Sequence, residues 1–491
     1  MSTPDAHTLA RRAVRGTLAV GAANVAARAV GLAAALYLMH VVPPRDFGVV
    51  EYAVALLAIA GSLADWGFSQ AAVHRQEQVE ETFATYFALR LLMAGAVVAL
   101  VLVSWLVFGN ALAARTRFGV LLALGGVLLV DAACDAPAAR LARAMRFGRL
   151  AAVDVSAAAA GAGAGVALAA LGYGLWALVG YRAVQSAVRA AGLGAASVER
   201  PRLGFHAEAA RWLVRFGLPL WVGSLATTWV LKYDDLVVGS LRGSRTLGYY
   251  GRAYALALLP LALVSGVLTR VSFPLYARLQ GQRERLSEAF RIASGTTFRL
   301  AAPLAVAMAL VVPDFLAVMG WAQWEPMVPM FRWLLVYAVG RPLMDDAGGL
   351  LTAVGRPRVT GHTLAGEAGA LLVLCPLLTW RFGAQGAAAS VGAVVVAGLV
   401  AWYTVFLPRF VNLATGRMLV RPALAVAAAG VAGWAAGAAL GGEPGLGPGA
   451  AKLAATGAAY AGALLALDGP GTVADLRALR RHALGGRSPH E

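Results

Sequence analysis

The chain has 491 residues, 59% of them hydrophobic and only 14% charged, with a mean hydropathy of +0.69. A soluble domain carries about 25% charged residues, so a soluble enzyme is excluded, and so is a few-anchor protein with a large polar body. The net charge of +17 would suggest nucleic acid in a soluble chain, but here the basic residues gather in short gaps between apolar runs. That placement marks membrane topology and not a nucleic-acid surface.

A helix needs about 20 apolar residues to cross the hydrocarbon core. By that rule the sequence predicts an all-α polytopic membrane protein with about fourteen transmembrane helices. They lie at roughly 16–41, 49–73, 83–108, 118–139, 150–171, 174–195, 214–240, 247–277, 289–313, 326–353, 359–380, 386–408, 419–440 and 450–467. The polar stretch 1–15 reads as a tail, and the first apolar run as a retained helix because no small-residue cleavage site follows it. Residues 471–491 form a second basic tail. With the N-terminus inside, the inner gaps hold 25 basic residues and the outer gaps seven, Lys452 among the latter. The positive-inside rule therefore predicts that both termini are cytoplasmic.

The two halves repeat. Arg45-Asp46-Phe47-Gly48 follows the first span and Arg245-Thr246-Leu247-Gly248 the seventh, each just before tyrosine (Tyr52; Tyr249 and Tyr250). Arg146-Phe147-Gly148-Arg149 after the fourth span has its counterpart in Arg356-Pro357-Arg358 after the tenth. Six spans per repeat is an even number, so both copies insert with the same orientation, a parallel repeat. The expected organisation is an N-lobe at 16–195, a C-lobe at 196–412 and an accessory pair at 413–470.

Order and spacing of short motifs add a family resemblance. Pro43-Pro44-Arg45-Asp46-Phe47-Gly48 is followed by Ala64-Asp65-Trp66-Gly67-Phe68. Later come Phe216-Gly217-Leu218-Pro219, Asp235, Gly239, Leu247-Gly248-Tyr249-Tyr250, Phe273-Pro274, Trp324, Arg341-Pro342 and Gly355-Arg356-Pro357. Over roughly residues 10 to 410 this resembles the polysaccharide transporters of the multidrug/oligosaccharidyl-lipid/polysaccharide flippase superfamily. The resemblance implies two six-helix lobes facing a central cavity, and export of an undecaprenyl-diphosphate-linked oligosaccharide by alternating access in a bacterial inner membrane. It also implies polysaccharide assembly proteins such as a polymerase as partners, and H⁺ or Na⁺ as coupling ion.

Enzyme signatures are absent from the sequence. There is no G-x-x-x-x-G-K-[ST] loop, and the seven histidines show no H-E-x-x-H spacing. Cys134 and Cys375 stand alone, so neither a disulfide framework nor a metal site is implied. No cofactor is expected. A membrane glycosyltransferase or polymerase would present acids on an outer loop, yet Asp46 is the only acid in the first one. Asp234-Asp235 and Asp345-Asp346 are adjacent acids, which point about 100° apart on a helix and chelate poorly together.

Charge inside the spans is the functional signal. A charged side chain at mid-bilayer costs on the order of 2.5–3.5 kcal/mol. Arg28 lies about 20 Å past Arg15 at 1.5 Å per residue, and Arg299 lies similarly deep in the ninth span. Lys232 stands one turn before Asp235 in the seventh span, while Arg252 and Arg270 bracket the eighth. In the resembling superfamily the first, second, seventh and eighth spans line the cavity. The candidate substrate-binding set is therefore Asn24, Arg28, Lys232, Asp235, Arg252, Arg270 and Arg299, a cationic lumen suited to a diphosphate. Asp65 is the candidate coupling acid, with Asp131, Asp135 and Glu367 as further acids. These acids keep open a cation-coupled multidrug exporter of the same fold. Each charge also has a structural reading, and Arg341 with Asp345, spaced i to i+4, is expected to pair.

Overall fold

Apolar side chains alone do not make a span; in lipid every backbone N–H and C=O must be satisfied within the segment, and helices do this. The computed structural model describes residues 26–108, 114–197, 202–259 and 272–483, and every regular element among them is helical. In chain order these are α1 (Ala26–Val41), α2 (Pro44–Ser62), α3 (Phe68–His74), α4 (Val79–Phe108), α5 (Ala114–Arg143), α6 (Phe147–Ala170) and α7 (Leu175–Ala196). Then follow α8 (Ala207–Ala257), α9 (272–278), α10 (Arg283–Val318), α11 (Val328–Ala353), α12 (Pro357–Phe382), α13 (Ala384–Ala401), α14 (Arg421–Ala439) and α15 (Leu446–Ala483).

Eight helices among the described residues are long and apolar enough to cross a bilayer. The other predicted spans are helical too, but they carry charge, are broken by glycine or run into residues that are not described. Apart from the break at 63–67, the predicted spans are helical wherever their residues are described, and the chain is an all-α multi-pass membrane protein.

Two boundaries differ from the sequence reading. The second span, expected to be continuous over 49–73, is two helices separated at 63–67. Gly67 adopts φ 68°, a left-handed conformation, immediately before α3. Its Cα also faces the backbone of Gly217, whose oxygen would lie 2.9 Å from an added Cβ. The seventh span and the described start of the eighth meet at a kink and not at a loop: α8 continues to Ala257, and within it only Gly243 (φ 80°, ψ 172°) departs from helical geometry. That departure falls within the expected gap.

Packing divides the chain into two compact units, 1–248 and 249–491. In the first, α6 and α7 pair closely. Gly161 and Gly165 permit this, since a Cβ on Gly161 would lie 2.7 Å from both Gln185 Cβ and the Tyr181 carbonyl oxygen. The G-x-x-x-G spacing is thus a helix-packing face. In the second unit α14 and α15 pair and rest on α10. Lys452, expected in an outer gap, lies within α15 instead, where its Nζ meets Asp314 Oδ2 of α10 at 2.7 Å.

Candidate functional site

Within the first unit, α2 and α3 run antiparallel to α8 over their whole length. Gly48 of α2 packs on the backbone of Ser244 and Gly248. One turn on, the Tyr52 hydroxyl lies 3.2 Å from Ser240 Oγ, and its ring fits over Gly239. Further along, Trp221 Nε1 donates to the Ser62 carbonyl at 2.7 Å, and the Trp66 and Trp221 rings lie 6.0 Å apart. At the far end, Arg75 bonds Glu208 at 3.2 Å and is itself buried. The partner numbers on α8 fall as those on α2 rise, so the two helices are antiparallel.

Lys232 and Asp235 lie on this wall. Lys232 Nζ donates to Asp235 Oδ2 at 2.9 Å, and the Asp235 side chain is 7% exposed. Glu51 of α2 and Asp234 also act electrostatically on Lys232. Glu51 went unnoticed in the sequence because it lies near a span end, where an acid is unremarkable. The wall is therefore a mixed-charge patch with more acids than bases. Arg28 lies exposed on α1. Asn24 and Arg270, both expected at the site, lie outside the described residues.

Asp65 lies exposed in the break between α2 and α3. It acts electrostatically on a half-buried pair, Arg90 Nε and Asp135 Oδ2, 2.6 Å apart between α4 and α5. Asp131 accepts from Ser186 at 2.6 Å, and Arg189 bonds Asp154 at 3.0 Å. Arg90 was missed in the sequence although it is a charge inside an apolar run, the same signal that marked Arg28.

The other candidates fall in the second unit. Arg252 is half-buried on the last arm of α8. Arg299 of α10 is buried, and its Nη2 donates to the Arg417 carbonyl at 3.5 Å, at the start of the α14 pair. Arg341 pairs with Asp345 at 2.9 Å, as its spacing predicts, and also with Glu367 of α12 at 3.0 Å. Asp346 is buried and accepts from Tyr276 at 3.0 Å and from Ser294. The adjacent acids are thus hydrogen-bonded, Asp345, Asp235 and Asp234 within their own helices and Asp346 to α9 and α10. Among the described residues no group of three His, Cys, Asp or Glu converges to hold a metal.

Residues 38–329 match the family described as "Polysaccharide biosynthesis protein". The chain belongs to that family. It is 24% identical over 353 residues to the lipopolysaccharide biosynthesis protein WzxC of Escherichia coli K12, covering 71% of each chain. It is also 27% identical over 292 residues to the succinoglycan biosynthesis transport protein ExoT of Rhizobium meliloti, covering 58% of each. Its fold is similar to that of a lipid II flippase MurJ structure described as in an inward closed conformation, with TM-score 0.73 and 12% identity over 91% of this chain and 98% of that one. An inward-facing multidrug resistance MATE family transporter of the MOP superfamily aligns with TM-score 0.58 and 14% identity over 76% and 93%.

Proposed function

We propose that the protein is a flippase and not an enzyme. It carries an undecaprenyl-diphosphate-linked oligosaccharide from the cytoplasmic to the outer leaflet of a bacterial inner membrane, for polysaccharide assembly. Both termini are cytoplasmic on this reading, and transport proceeds by alternating access between two repeat lobes, 16–195 and 196–412. One observation carries the reading: a polysaccharide-family chain with a lipid-flippase fold holds ionisable groups inside its spans, on the α2–α8 wall. Such groups are costly in lipid and are retained where they serve a pathway.

Arg28, Lys232, Arg252, Arg270 and Arg299 are the candidate cations for the diphosphate, and Asn24 a candidate hydrogen-bond partner for it. Asp235 and Glu51 hold Lys232 when no substrate is bound. An arriving diphosphate competes with these carboxylates for the ammonium, so head-group binding alters the contact between α2 and α8. Asp65 is the candidate for H⁺ or Na⁺ coupling, supported by its position beside the Arg90–Asp135 pair. That same position supports a second reading, a cation-coupled drug exporter.

Complementation decides between them. In a strain lacking its own polysaccharide flippase, expression should restore surface polysaccharide and clear lipid-linked oligosaccharide from the inner leaflet. Membrane-inserted protein that restores neither, yet raises drug tolerance, would establish the exporter.

A further inference from the structure

The first unit holds a cavity of about 350 Å³ where the ends of α4, α5 and α7 meet. It is lined by Glu80 and Phe83 of α4, by Arg140 and Arg143 of α5, by Arg146, and by Ser197 just past α7. Three arginines face one acid. We propose that this cavity binds the phosphodiester of an anionic phospholipid of the inner leaflet.

Two of the arginines are already fixed in place. Arg140 bonds Glu80 at 2.9 Å and lies 5.0 Å over the Phe83 ring. Arg143 Nη1 donates to the carbonyls of Ala72 and Val73, at 3.3 and 2.9 Å, and of Arg75, closing the end of α3. Arg146 is exposed at the mouth, in a turn whose Met145 is held at φ 55°. It also starts α6, and no side chain caps that helix, so the helix dipole adds positive potential at the same place.

Ser197 also lines the cavity, and the guanidinium groups supply the charge-assisted bonds that phosphate takes best. The helix ends place the cavity at the membrane–water boundary, where lipid phosphates lie, and basic pockets between spans on the cytoplasmic side recognise such head groups. Only the word "inner" rests on the orientation proposed above, because binding in detergent needs neither orientation nor transport.

The test uses the full chain, purified and delipidated in mild detergent, with native mass spectrometry of bound lipid. Wild-type protein should take palmitoyl-oleoyl phosphatidylglycerol over the matching phosphatidylcholine by about tenfold, and 10 mM inorganic phosphate (roughly that order) should leave this preference in place. R146Q with S197A should lose most of it while sparing the fold, since Arg146 is exposed and the Ser197 hydroxyl makes no hydrogen bond among the described residues. R45Q, removing an exposed arginine outside the cavity, should keep the preference. An unchanged preference in R146Q/S197A, or an equal loss in R45Q, overturns the site. Complete displacement of the lipid by inorganic phosphate would make it a soluble-phosphate site instead and overturn the lipid assignment.

Discussion

Gly48 and Gly248, two hundred residues apart and each the last residue of an R-x-x-G motif, touch backbone to backbone. A Cβ on Gly248 would run into the Pro44 carbonyl and lie 3.3 Å from the Gly48 amide; one on Gly48 would lie 2.8 Å from the Gly248 amide. The two copies of the repeated motif are thus one contact. Asp46 in the first copy also accepts the amide of Leu175, tying the start of α2 to the start of α7.

A methyl group at either glycine has no room. Gly48→Ala and Gly248→Ala should each destabilise by about 1–3 kcal/mol, the usual cost of overpacking, seen as a lower thermal midpoint of the purified protein. Because the two share one contact, the double variant should lose less than the sum. Additive losses would show that the glycines act separately.

Lys232→Gln should cut polysaccharide export severely, and it should also lower protein level, because Asp235 is left buried without its ion-pair partner. Lys232→Gln with Asp235→Asn should restore the level but not export. Full export by the double variant would reduce Lys232 to a structural role. Lys232→Arg should retain more export than Lys232→Gln if charge is the requirement. Surface polysaccharide and immunoblots read both outcomes.

Moving a diphosphate of about two negative charges outward gains about 2.3 kcal/mol per charge per 100 mV of inside-negative potential. Flipping in proteoliposomes should therefore accelerate when such a potential is imposed. Asp65→Asn should remove any additional response to a pH or sodium gradient while sparing the response to potential. Flipping that ignores potential and follows the pH gradient alone would refute potential-driven export.

Reporters fused near Arg146 and Arg283 should behave as cytoplasmic, and one near Arg245 as external. The basis is the 25-to-seven asymmetry of basic residues across the gaps. An external signal at Arg146 would overturn the proposed orientation and the parity of the repeat.

Lys452→Met should destabilise the second unit by about 3–5 kcal/mol, the cost of breaking a buried ion pair. Asp314, with its side chain 2% exposed, also accepts the Gly445 amide at 3.2 Å and would be left without its counter-charge. Adding Asp314→Asn should recover much of that loss in a thermal unfolding assay. No recovery would locate the damage in packing, where the Lys452 stem passes Gly437.

The sequence by itself determined the all-helical spans, their approximate ends and the i to i+4 pairing of Arg341 with Asp345. Each follows from local rules: the length needed to cross hydrocarbon, the cost of charge in it, and the pitch of a helix. The repeated R-x-x-G was legible too, but only as a repeat. Tertiary structure alone decided that its two copies touch. It also decided that Glu51 comes within electrostatic reach of Lys232, that Arg90 pairs with Asp135, and that Lys452 leaves its expected loop for Asp314. Spans are set by each segment's own exchange between water and lipid, whereas partners are set by which helices lie side by side. No feature within a single segment encodes that choice, because any apolar helix satisfies the bilayer equally well.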